Sequence, residues 1–270
     1  MALDDAWWAR LALEDAVLVE VVRTQGSVPR EAGTWMLVFA DALACTIGGG
    51  HLEYQAIAMA RGMLAGGPRA AAPDGPVRYA LGPSLGQCCG GVVHLRYTRV
   101  GAADVPQLRT LLAPRRWPVA LFGGGHVGTA LARVLAGLPC SLTWIDSRDG
   151  IFPAGLAAHT VCEHSDPVHQ AVPDLAPGTR VVIMSFSHAE DLEVVAACLA
   201  RQQRQGDLPY VGLIGSATKW ATFRHRLQAR GFTGAELDHV TCPIGVPGIR
   251  GKEPEVIAVA IAAQLLQSLG

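Results

Sequence analysis

Val119–Asp146, VALFGGGHVGTALARVLAGLPCSLTWID, is the stretch whose reading decides the fold. Val119 to Phe122 is a short apolar run of the kind that forms a buried parallel strand. Gly123, Gly125 and Gly128 then spell G-x-G-x-x-G, and the TALARVLAGL behind them carries helical periodicity. A second apolar run, Leu142 to Ile145, ends on Asp146, eighteen residues after Gly128. Each part has a physical job. Gly123 permits a tight strand-to-helix turn, Gly125 lets a diphosphate approach the backbone, and Gly128 lets helix and strand pack closely. The helix N-terminus offers free N–H groups and a positive dipole end to an anion. Asp146 stands where a carboxylate accepts from a ribose 2′-hydroxyl. His126, inside the turn, is unusual for a plain NAD site and falls near the ligand crevice. Strand, helix, strand and acid together predict a Rossmann-like unit. Whether it holds NAD(P) or another nucleotide, or keeps its glycines for close packing alone, the pattern leaves open.

The bulk properties narrow the function classes. With 270 residues, half of them apolar, and 31 glycines, a sizeable core and many tight turns are expected. A formal charge of −1 carries no electrostatic footprint for nucleic acid or an anionic membrane surface. The start, MALDDAWWARLALEDA, is acidic and lacks the basic-then-apolar order of a signal peptide. No apolar run reaches the roughly 20 residues a membrane span needs. A cytoplasmic protein with no nucleic-acid and no membrane partner is expected. Seven scattered cysteines, with only Cys88 and Cys89 adjacent, read as thiols rather than as disulfides.

Ahead of the Rossmann segment, residues 4–16 read as an amphipathic helix with Trp7, Trp8 and Leu11 packing. Val17–Val22 and Trp35–Phe39 are strand-like, joined by TQGSVPREAG. That loop is a long hairpin connection, or a place where Gly26, Ser27 and Arg30 meet an oxyanion. Gly48, Gly49 and Gly50 lead into a helix over 51–64 whose N-terminus is a second anion candidate, with Glu53 in its first turn. Strands at Val77–Leu81 and Val92–Tyr97 flank PSLGQCCGG, where Gln87, Cys88 and Cys89 sit among glycines. Soft thiolates suit soft or high-valent metals or attack sulfur and carbonyl centres. Adjacent cysteines alone cannot complete a four-ligand zinc site, and an isolated pair reads more readily as two small buried apolar residues. Residues 101–118 read as a linker with a short helix.

Beyond Asp146 the αβ rhythm continues. Strands are expected at His159–Glu163 and Arg180–Phe186, with a short helix over 167–175 between them. Ser187 with Glu190 makes a capping-box pattern, which sets His188 at a strand's carboxyl end. Ser216 and Lys219, after another strand, can hold a phosphate, although a solvated helix face explains Lys219 as well. A Gly/Pro loop then leads to a C-terminal helix with Pro254 in its first turn. The expected architecture is α/β: a C-terminal doubly wound parallel sheet of Rossmann type over 119–270, a linker over 101–118, and a smaller α+β domain over 1–100.

Taken together, TQGSVPREAGTWMLV, TIGGGHLE, LGPSLGQCCGG, FGGGHVG, WIDSR, SFSHAEDL, GLIGSATK and CPIGVPGIRGKEPEVIAVAIAAQLL resemble the XdhC/CoxI family of xanthine dehydrogenase accessory proteins, from about residue 17 onward. The resemblance implies a chaperone, not an enzyme of turnover. Such a protein binds molybdenum cofactor (molybdopterin), supports its sulfuration by a cysteine desulfurase, and delivers it to the molybdenum subunit of xanthine dehydrogenase. On that basis Cys88 or Cys89 lies beside the molybdenum or the sulfur being installed, and the Rossmann turn at Gly123–Gly128 holds the phosphate or a nucleotide-bearing form of the cofactor. The family often has T-H-D-H where this chain has Ser185-Phe186-Ser187-His188, so only the last histidine carries over. Two other classes stay open: an NAD(P)-dependent oxidoreductase using the Gly123–Asp146 fingerprint, and a persulfide carrier using Cys88 or Cys89. The composition is compatible with a homodimer.

Overall fold

The chain forms an antiparallel sheet in the first of two units, Met1–Pro114, whose central strands are apolar on both faces, and continuous apolar runs build a parallel sheet in the second, Arg115–Gly270. The computed structural model describes residues 3–66, 72–82 and 90–270.

The first unit orders its strands β3-β2-β1-β5-β4, with β1 Ala16–Gln25, β2 Trp35–Val38, β3 Leu43–Cys45, β4 Val77–Ala80 and β5 Val92–Val100. The 26–34 loop is the hairpin between β1 and β2. Val17, Val19, Met36, Leu95 and Tyr97 face helix α2, Gly50–Leu64, which returns Leu52, Ala56, Ala60 and Met63. The opposite face, with Leu18 and Leu37, is covered by Trp8, Leu11, Leu108 and Leu112. Two of these come from α1, which runs only over Asp5–Leu11 rather than 4–16. Its N-cap is Asp4, and the chain from Ala16 onward is taken by β1. Leu108 and Leu112 come from the stretch read as a linker: α3, Val105–Leu111, is part of this unit, and β6 already begins at Trp117. β3 has no counterpart among the sequence expectations.

In the second unit six parallel strands are ordered β11-β10-β9-β6-β7-β8. They are β6 Trp117–Phe122, β7 Cys140–Asp146, β8 Thr160–His164, β9 Arg180–Ile183, β10 Tyr210–Leu213 and β11 Val240–Thr241. Successive residues of β6 serve opposite layers. Val119 and Leu121 pack with α4, His126–Ala136, and α8, Pro254–Gln267. Ala120 and Phe122 pack with α5, His188–Gln205, and α6, Ala217–Ala229. Helices on both faces make the sheet doubly wound, as the fingerprint predicted. The strand order reverses between β6 and β9, which opens a crevice at their carboxyl ends. The expected helix over 167–175 is a 3-10 turn, Val168–Asp174, and α7 is the short Gly234–Leu237. Among the described residues no helix is long and apolar enough to cross a membrane.

Candidate functional site

The glycine turn closes the end of β6 by contacts that a side chain would forbid. Gly123 has φ +121°, and a Cβ there would stand 2.0 Å from the Met184 carbonyl oxygen. At Gly128 it would stand 2.1 Å from Gly123 O, the atom that also accepts the indole N–H of the fully buried Trp144 at 2.9 Å. Gly125 differs. It is the exposed N-cap of α4, and a Cβ there meets nothing within 4 Å. Two glycines therefore serve packing, and one leaves open backbone at a helix N-terminus, a cradle that fits a phosphate. His126 is the exposed first residue of α4.

Asp146 is buried at the end of β7, and its carboxylate is fully engaged. Oδ2 accepts the Gly124 N–H at 2.6 Å and Arg148 Nη2 at 2.8 Å; Oδ1 accepts the Arg148 backbone N–H and Nε, each at 2.9 Å. A carboxylate offers about four acceptor positions, so all are taken. Burial pushes this carboxyl up, but the Arg148 guanidinium and the two backbone donors outweigh that and hold it below the usual carboxylate value. The placement at the crevice is as expected, but the carboxylate is a clamp on the glycine turn and on Arg148. The ribose role expected of Asp146 has no acceptor left to perform it.

Two contacts link the loops after β7 and β9. Ser147 Oγ donates to Glu190 Oε1 at 2.7 Å, and the Arg148 guanidinium lies 4.6 Å from the centre of the exposed Phe186 ring. Ser187 caps α5, its Oγ accepting the Glu190 N–H at 3.2 Å. The capping box is half formed, because the Glu190 carboxylate reaches Ser147 instead of turning back. Arg148 and Glu190 went unrecognised as site residues. The signal for Arg148 was its place two residues after the acid.

Lys219 also differs from expectation. Its ammonium is tied to Asp191 Oδ2 at 2.6 Å and to Ile214 O at 2.8 Å, in a pair shielded from solvent. Asp191 Oδ1 accepts the Ser185 N–H at 2.8 Å, so this charge braces the exit of β9. Ser216 is the N-cap of α6. His188, Ser216 and Lys219 do come together, lining a groove of about 320 Å³ with Phe223 and Arg226. His188 lies edge-on to Phe223.

In the first unit the motif loops converge. A Cβ on Gly48 would stand 2.8 Å from Pro29, and one on Gly91 would stand 2.4 Å from Ser27 O. The Gly26–Arg30 loop thus packs against Gly48 on one side and Gly91 on the other. Gly26, Ser27 and Arg30 are exposed there. The Gly48–Gly50 turn has its anion supplied internally: the Glu53 carboxylate accepts the N–H groups of Ile47 at 2.9 Å and Gly49 at 3.0 Å, and the Thr46 hydroxyl. Gln87, Cys88 and Cys89 lie outside the described residues. Arg23, His94 and Arg78 stand opposite one another on β1, β5 and β4 and so share one sheet face. His94 Nδ1 is buried with no partner, and neither arginine is in an ion pair, among the described residues. Two exposed arginines on one sheet face, on either side of His94, fit a phosphate ester.

These features define a two-unit α/β protein, an antiparallel-sheet unit with converging glycine loops followed by a Rossmann-type unit. The chain belongs to the XdhC and CoxI family: that family's model matches residues 9–79, and the XdhC Rossmann domain matches 119–265. It is 26% identical over 255 residues to the uncharacterized protein YqeB of Escherichia coli (strain K12), covering 93% of this chain and 43% of that protein. The chain therefore spans less than half the length of this curated relative. A crystal structure of a xanthine dehydrogenase from Bacillus halodurans has a TM-score of 0.77 to it, over 98% of this chain and 95% of that one. At 18% identity this shows a shared fold.

Proposed function

We propose that the chain acts in the maturation of a xanthine dehydrogenase as a carrier of molybdenum cofactor in the cytoplasm. Its partners on this reading are the molybdenum subunit of that enzyme and a cysteine desulfurase. The observation that carries the reading is the convergence in the first unit. Gly91, the second residue after Cys88–Cys89, is packed on the Ser27 carbonyl at the same end of the sheet as the Arg23–His94–Arg78 row. Family membership and the Bacillus halodurans likeness support it.

Molybdenum cofactor presents a phosphate, a hydrogen-bonding pterin edge and a sulfur- and oxygen-rich metal, and it supplies the redox centre of the enzyme that receives it. In this chain Arg23, Arg78 and His94 pair with the phosphate, while Ser27 and Arg30 offer a hydroxyl and a guanidinium to polar edges. Cys88 or Cys89 supplies a thiolate beside the metal or the sulfur being installed. Lys219 and the Gly48–Gly50 turn take no part, because their charges and N–H groups are satisfied internally.

Anaerobic binding of isolated molybdenum cofactor to the purified chain tests this. Stoichiometric binding by the wild type, weakened at least about tenfold in Arg23→Ala/Arg78→Ala, is expected, since charge-assisted bonds to phosphate are worth about 1.5–3 kcal/mol each. A folded wild type that binds no cofactor overturns the proposal.

A further inference from the structure

Because β6 lies between β7 and β9, the segments leaving β7 and β9 meet at the carboxyl end of β6, the end from which Gly125 leads into α4. The Ser147–Glu190 hydrogen bond and the Arg148–Phe186 stack are that meeting. Glu190 Oε1 is used, but Oε2 is buried with no partner among the described residues, and so is Ser185 Oγ at the exit of β9. A buried carboxylate oxygen without a donor is costly, so Glu190 has an acceptor still to fill at this end of the sheet. Phe186 leaves two thirds of its surface exposed on the same loop.

We infer that this crevice binds a dinucleotide whose adenosine ribose is unphosphorylated, NAD(H) rather than NADP(H), and that Glu190 is the acceptor for the ribose hydroxyls. Three observations lead there. Asp146, the usual acceptor, has every lone pair engaged. Glu190 keeps one oxygen without a partner among the described residues, while its other oxygen is held by Ser147, one residue beyond Asp146 in the chain. Arg148, the cation that would otherwise welcome a 2′-phosphate, is neutralised by a two-point pair with Asp146, leaving the Glu190 charge to repel one. The diphosphate lies over Gly125 at the start of α4, and the Arg148–Phe186 pair flanks the base. This site is on the second unit and does not depend on the cofactor reading.

Fluorescence titration of the full chain with NADH and with NADPH tests it, comparing wild type, Glu190→Gln and Phe186→Ala. The wild type is expected to bind NADH at least about tenfold more tightly than NADPH, the worth of one charge-assisted hydrogen bond. Glu190→Gln keeps an oxygen for Ser147 but gains an amide that can donate to a phosphate. It should bring the NADH-to-NADPH ratio close to one, and a merely structural role would not move that ratio. Phe186→Ala should weaken both nucleotides alike. The inference is overturned by a wild type that prefers NADPH, by one that binds neither nucleotide, or by an unchanged ratio in folded Glu190→Gln. Molybdenum cofactor binding measured on the same samples reports separately on the carrier reading.

Discussion

Gly123, Gly125 and Gly128 belong to one motif but respond to substitution in opposite ways. At Gly123 and Gly128 an added methyl collides with backbone oxygens about 2 Å away, at Gly123 with Met184 beyond β9 and at Gly128 with Gly123 itself, so the turn must part from β9 or from α4 to relieve it. Gly123→Ala and Gly128→Ala should each lower stability by about 2 kcal/mol or more, read as a drop of several degrees in Tm. Gly125→Ala has room, so its Tm should stay within a few degrees of wild type while NADH affinity falls about tenfold, because the methyl stands where the diphosphate must approach. Equal losses of Tm in all three variants would contradict this division of labour. Asp146 gives a pH signature. Its folded-state pKa is lowered, so its contribution is complete above the unfolded carboxyl value near 3.8 and disappears as pH falls through the folded value. Asp146→Asn should therefore cost about 1–3 kcal/mol in urea unfolding at pH 7, and the gap to wild type should narrow below pH 3.8. A gap that is constant with pH would show that the charge is not what matters.

At the scale of elements, α5 is held to its neighbours by Arg201. Its guanidinium is buried and donates to the carbonyls of Val172 and Leu175, both at 2.7 Å, and to Asp207. Arg201→Met leaves those carbonyls and a carboxylate without donors, and should cost about 3–5 kcal/mol by chemical denaturation; less than about 1 kcal/mol would refute the role. The thiols sort by the same logic of burial. Burial pushes Cys140 up to about 11 and Cys198 up to about 12, whereas Cys162 is exposed on β8. Peptide mapping after iodoacetamide should find Cys162 alkylated well before either. Elements with a strong period were legible in the sequence: the β6–α4–β7 unit, the α2 helix, and the Ser187 cap of α5. What was not legible depended on distant partners. Ser187 and Glu190 read as a capping box, but only the fold brings Ser147 within reach of Glu190. Asp146 read as a free acid, because nothing in its neighbourhood shows that Arg148 will fold back onto it. Lys219 reads as a phosphate ligand or a solvated helix residue, because nothing local shows that Asp191, 28 residues earlier, folds against it.

For the whole molecule, the proposed function and the inferred dinucleotide site divide the chemistry between the two units. The antiparallel unit gathers cations, an orphaned histidine nitrogen and exposed polar groups around the glycine loops that border Cys88–Cys89, while the Rossmann unit presents an empty carboxylate oxygen and an open glycine at its switch point. Anaerobic titration with molybdenum cofactor, run in parallel on wild type, Cys88→Ser/Cys89→Ser and Gly125→Ala, tests that division most directly. Weakened binding in the double cysteine variant and wild-type binding in Gly125→Ala are expected. Normal binding by the cysteine variant together with loss in Gly125→Ala would contradict it and move the cofactor to the Rossmann turn.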